Sequence, residues 1–259
     1  MKNSKLIELL RTFSAKERRS FRDMAASSYF NRNQDVTRLA DWLDTFAPEY
    51  SGATRAGAQA FLFPEEVPDE ARLNHLMSFL LKLAENFVGL EIYQNNTFPA
   101  GLDMLQAFSD RGLDKHYHFQ LEKLRRELDA EAMPDTSFFY NVYAVEILEA
   151  QRTALRSPRQ FNAGVQKATD HLDTFYLLEK LKRTCYMYTS QAILATPYNL
   201  HLVEEICRFA GAHLSEMPTP AIEAYYRIFQ LLSKPEADED FAALKALLAA
   251  RAQEFNQED

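Results

Sequence analysis

The chain has 259 residues, 47% of them hydrophobic and 25% charged, with a formal net charge of −8 at pH 7. That length and balance support a buried core and exclude a chain disordered throughout, and the acidic excess argues against general nucleic-acid binding. Two cysteines in so long a chain exclude a disulfide framework.

Only 7 residues are Gly. Strand-rich folds consume Gly in hairpin turns, and a chain rich instead in Leu, Ala, Glu, Lys and Arg favours helix. The prolines fall between amphipathic segments, where they mark boundaries, because a helix-interior proline loses a hydrogen bond and clashes with the preceding turn. The expected fold is therefore all-α.

In chain order, a first helix is expected over Lys5–Thr12. Its Glu8 and Arg11 interrupt any leader-like apolar run, so a signal peptide is not expected. Ser14-Ala15-Lys16-Glu17 is a capping-box pattern that starts a second helix, ending near Ser27-Ser28. Tyr29-Phe30-Asn31 reads as a turn. A third helix is predicted over Asp35–Phe46 and a short one near Gly57–Leu62. Asp69–Asn95 carries Leu73, Leu76, Met77, Leu80, Ala84 and Phe87 at helical spacing; its apolar segment is broken by Lys82 and Glu85 and is too short to span a membrane.

Paired helices follow. Ala100–Arg111 is expected to end on Gly112 as a C-cap. Then come Leu113–Ala132, Thr136–Leu155, Arg159–Leu194, Tyr198–Leu214, Ala221–Leu232 and Glu236–Phe255. On Arg159–Leu194, Phe161, Val165, Ala168, Leu172 and Phe175 are read as one inward face. Pro99, Pro134, Pro197 and Pro235 start successive hairpins at intervals of which two approach a helical-repeat length. The chain divides into an N-terminal helical cluster, 1–97, and a helical-hairpin array, 98–259. The array is expected to be an irregular α-solenoid, similar to tetratricopeptide proteins in layout only, with a compact multi-helix bundle as the competing reading. The last helix, with Phe241, Leu244, Leu247, Leu248 and Phe255, reads as half of a hairpin, and the tail Asn256–Asp259 is too short for a cap. The array is accordingly expected to be incomplete at its C-terminal end.

Leu9-Leu10, Phe13-Ser14, Glu17, Phe21 and Ser28-Tyr29-Phe30-Asn31 form one block. A second runs Phe61-Leu62-Phe63-Pro64 to Leu73-Asn74-His75-Leu76-Met77-Ser78. With Phe175–Leu181 and Tyr225–Ile228, these segments resemble an uncharacterised family of all-helical proteins from Bacteroidetes-type bacteria. The resemblance implies helices and a longer full-length protein. It carries no activity and no catalytic residues.

Local chemistry points to no reaction. Asp114, His118 and Glu122 share a helix face at four-residue steps, the ordinary makeup of a solvated face as well as a ligand spacing. His201 and Glu205 read as a surface ion pair. The glycine fingerprints of nucleotide sites and the Gly-x-Ser-x-Gly elbow are absent from the sequence. Cys185 and Cys207 sit on apolar stripes, as buried residues of a reducing compartment do. Neither cofactor, metal nor catalytic residue is assigned. The best basic cluster is Arg18, Arg19 and Arg22, which share one side of the second helix and are the candidate partner-binding residues. Aromatics make up 12% of the chain, too many to face one side only; most are expected in the core and some Tyr on a concave binding surface. The favoured function is a protein-interaction scaffold or adaptor in the cytoplasm, with a protein partner and no membrane insertion. A nucleic-acid-binding regulator acting through the basic helix, and an enzyme without a motif, are the alternatives.

Overall fold

The computed structural model describes residues 1, 3–131, 134–156, 161–194, 196–234 and 238–255. Among them are twelve α-helices and no strand. No described helix is long and apolar enough to cross a membrane. Backbone contacts divide the chain into two compact units, Met1–Ala100 and Gly101–Asp259.

The first unit contains α1 (Lys5–Arg11), α2 (Ala15–Ala26), α3 (Gln34–Asp44), α4 (Arg55–Leu62) and α5 (Glu70–Asn95). Its starts are set by side-chain caps. Ser14 Oγ accepts from the Glu17 amide at 3.2 Å while Glu17 Oε2 accepts from the Ser14 amide at 2.7 Å. Those bonds favour the ionised form and hold the Glu17 carboxyl below its ordinary range. Helix α5 is the spine. Its Leu73, Leu76, Leu80 and Phe87 are buried, and α1, α2, α3 and α4 pack on it. Phe87 closes an aromatic triangle with Phe13 and Phe21, ring centroids 5.3 to 5.6 Å apart, within the favourable range for aromatic packing. The turn after α2 is pinned by buried Asn31, which donates to the Ala25 carbonyl at 2.8 Å and accepts from the Asn33 amide at 2.8 Å. Tyr29 beside it is left exposed.

The boundary expected between residues 97 and 98 falls at a helix start, separated by one residue from the end of α5 at Asn95. Helix α6 runs Thr97–Asp110. Pro99 falls in the first turn, where the missing amide hydrogen has no helical acceptor to lose. The division between units accordingly lies inside α6, after Ala100. At the other end of α6, Gly112 adopts φ +67°. The Gly112 amide donates to Ser109 and the Leu113 amide to Phe108, at 3.0 and 2.9 Å, the paired bonds of a Schellman cap. A Cβ there meets no atom within 4 Å, so only the left-handed backbone opposes substitution. Gly112→Ala is expected to lower stability by about 1 kcal/mol, read from urea unfolding.

The second unit holds the rest of α6, then α7 (Asp114–Asp129), α8 (Thr136–Arg156), α9 (Ala163–Leu194), α10 (Val203–Ala212), α11 (Pro220–Ser233) and α12 (Asp238–Arg251). Gly101 lets α6 approach α7: an added Cβ would lie 2.7 Å from Gln120 and from Leu124. Helices α8 and α9 are antiparallel, since Tyr140 meets Phe175, Glu146 meets Lys167 and Ala150 meets Asn162. Helix α11 runs beside α9 in the same direction, Tyr225 meeting Cys185 and Phe229 meeting Tyr188. Their shared core holds Leu178, Leu181, Ile206, Ala210 and Ile222.

Helix α10 is shorter than Tyr198–Leu214. It begins at Val203 because Leu202 has φ +64° and offers no side-chain cap, and the residues before it do not continue a helix. His201 therefore precedes α10, and helical spacing to Glu205 does not apply. Ala132, the boundaries at Pro158 and Pro235, the helix starts at Arg159 and Glu236, and the tail Asn256–Asp259 lie outside the described residues.

Candidate functional site

The basic cluster on α2 is where the sequence places it, but two of its three guanidinium groups are engaged. Arg18 lies 3.4 Å from Asp44 and donates to the Phe13 carbonyl at 3.1 Å. Arg22 bridges Asp41 at 2.9 Å and Asp44 at 3.1 Å. Arg19 is exposed. Two α3 carboxylates thus face this side of α2, so the row ties α2 to α3 and its field is largely offset. Sequence alone did not show this, because Asp41 and Asp44 are about twenty residues away along the chain.

The α7–α8–α9 layer gathers a denser set of charges. Glu146 on α8 has a side chain only 7% exposed and accepts from Lys167 Nζ at 2.6 Å. Arg125 of α7 reaches Glu146 at 3.5 Å and also pairs with Glu149. Buried Arg152 pairs with Asp114 and lies 3.9 Å over the Tyr117 ring, an arrangement that stabilises a desolvated cation. Among the described residues no three of His, Cys, Asp and Glu converge as metal ligands. His171 nearby is held below its ordinary value of 6.5, first by burial and then by Lys167. A cavity of about 430 Å³ borders Glu146, Glu149, Asn162 and Lys167. Its charges are mutually satisfied, which is the chemistry of a structural clasp. A second cavity of about 330 Å³, between α6 and α7, is lined by Met104, Phe108, Lys115, His116, Phe119 and Gln120.

Both cysteines are free and buried. Burial pushes the Cys185 thiol up to about 12 and raises Cys207 in the same direction, the reverse of an activated nucleophile. Neither is expected to react with a thiol reagent at pH 8 in the folded protein, and both should react in urea. Rapid labelling of native protein would contradict this burial.

The outward side of α9 carries exposed large apolar side chains. Its inward residues are Ala168, Leu177, Leu178, Leu181 and Cys185. Val165, Leu172, Tyr176, Tyr186 and Ile193 are left out of that core, and they range from 37% exposed at Leu172 to 78% at Ile193. This corrects the inward reading of Val165 and Leu172. The helix is apolar on two sides, and residue type does not say which side its neighbours cover. Phe161, read inward too, is 91% exposed. Of the aromatics, Phe139 and Tyr225 are core, while Tyr140 and Tyr186 are exposed. Phe241 and Leu248 of α12 are exposed as well. Comparison of the chain with protein-family models, curated proteins and solved structures gave no match.

Proposed function

We propose that this protein is an interaction scaffold or adaptor that presents helical surfaces to a protein partner. The observation that carries the reading is the outward row of α9, where large apolar side chains stand in water along one face of a 32-residue helix. Rows of this kind mark interaction surfaces, and an amphipathic helix face engages partners through regularly spaced anchors. The parallel course of α9 and α11 also suits stacked helical hairpins, the layout of solenoids that expose extended binding surfaces. The reading by nucleic-acid contact is weakened by the aspartates that hold Arg18 and Arg22. Free buried cysteines fit a reducing, cytoplasmic setting.

Crosslinking in the native cell, followed by mass spectrometry and reconstitution from purified components, tests this. Crosslinks from residues flanking the outward row of α9 to a protein that also binds in reconstitution are expected. A chain that crosslinks to no protein, itself included, would overturn the reading.

A further inference from the structure

The outward row of α9 has a finer pattern than scattered exposure. Val165, Thr169, Leu172, Tyr176, Glu179, Arg183, Tyr186, Ser190 and Ile193 follow one another at steps of four and three residues, without interruption, over four heptads. That is the spacing of a coiled-coil seam; such a row drifts by about 20° per heptad on a straight helix, so it lies opposite the residues α9 buries at its N-terminal half and beside them toward Ile193. At 1.5 Å per residue the seam is about 42 Å long. Its two charged members sit near its middle. Arg183 and Glu179 are 2.5 Å apart on the same helix, and the Arg183 side chain is 64% exposed, so it retains donors for a second carboxylate.

We propose that α9 pairs antiparallel with α9 of a second copy of this chain, in the register that places Glu179 of each copy opposite Arg183 of the other. This names the partner for the interaction reading above and rests on it. Antiparallel seams alternate the two heptad positions across each layer. In this register every layer from Thr169 to Ile193 obeys that rule, and Val165, whose opposite would fall beyond the end of α9 at Leu194, lies outside the paired stretch. Tyr176 meets Tyr186, Leu172 meets Ser190 and Thr169 meets Ile193, each twice by symmetry, as an isologous two-fold contact requires. Charge selects the arrangement. A parallel pairing sets Glu179 on Glu179 and Arg183 on Arg183. An antiparallel shift of one heptad sets both charges against uncharged side chains, which leaves each with only its partner on the same helix. Only the stated register gives all four an opposite charge across the interface as well as within the helix. A polar pair within an apolar seam fixes register and orientation at some cost in affinity, and flanking Lys180 can carry its ammonium out to solvent along its four-carbon stem.

The test is sedimentation velocity of the full chain over a concentration series in low salt. Wild type is expected to dimerise. Glu179→Arg alone faces arginine with arginine, and Arg183→Glu alone faces glutamate with glutamate. Each is expected to weaken dimerisation by roughly a hundredfold or more. Mixing the two single variants restores opposite charges at both layers, so a heterodimer should reappear, as should a homodimer of the double variant E179R/R183E. Like charges within one helix remain in the mixed sample, so rescue there reports the contact between chains. Circular dichroism checks that each variant folds. A wild type that stays monomeric overturns the proposal. So does a dimer indifferent to both charge reversals, or single variants that do not rescue one another. The wider interaction reading survives any of these outcomes if crosslinking and reconstitution find a different protein partner.

Discussion

Leu80→Ala is expected to destabilise the first unit by about 3 kcal/mol. Leu80 is fully buried in α5, where it shares the first unit's core with Leu6, Leu39 and Leu43. Truncation removes the transfer free energy of its methyl groups and leaves a cavity that rigid helices on several sides cannot close. The measurement can be confined to this unit. Trp42, the only tryptophan, packs against the same core and contacts Phe46 and Phe61, so its fluorescence follows the first unit alone. With a urea dependence of about 1 kcal/mol/M for a unit of this size, the midpoint should fall by roughly 3 M. A midpoint unchanged within 0.5 M, on the order of the extrapolation error, would mean that Leu80 is not in a packed core.

The double variant Lys167→Met with Arg125→Met is expected to destabilise the second unit. It leaves the buried Glu146 carboxylate with neither of the cations that now face it at 2.6 and 3.5 Å. Stripping a buried charge of its partners typically costs 3–5 kcal/mol, and the partial exposure of both cations points to the low end, about 3 kcal/mol. For a unit of this size that is roughly 10 °C in Tm. Adding Glu146→Leu to the double variant should recover most of the loss, because an apolar side chain of similar bulk has no charge to desolvate. Thermal melting at 222 nm reads both. If the double variant melts like wild type, the carboxylate is not buried among these helices. If the added leucine gives no recovery, the lost packing of the two long stems, and not charge, explains the destabilisation.

Much of the fold was legible before any coordinates because its signals are local. A helix start depends on a cap and the next few residues, so Ser14-Ala15-Lys16-Glu17 announced α2 and Gly112 announced the end of α6. The periodicity of Leu73 to Phe87 needed only the 3.6-residue turn. Pro99 likewise marks a boundary, since α5 ends at Asn95 and α6 starts at Thr97, although the helix begins before the proline and not after it. Whether a proline ends a helix or begins one depends on its place within the first turn, which α6 settles by starting at Thr97.

Residue order by itself determined helix content, most helix positions and the lack of a signature for local chemistry, because each of these is fixed within a few turns of chain. Tertiary structure alone decided which charges meet and which apolar faces are covered. Asp41 and Asp44 hold Arg18 and Arg22 only because α3 folds back on α2. Glu146 is buried only because α7 and α9 flank α8. On α9 the ambiguity is sharpest. Apolar residues ring the helix, and the packing of α8 and α11 buries Leu178 and Leu181 while Tyr186 and Ile193 remain in water. The hydrophobic effect scales with area removed from solvent and has no direction of its own, so a two-sided helix becomes one-sided only when its neighbours are in place.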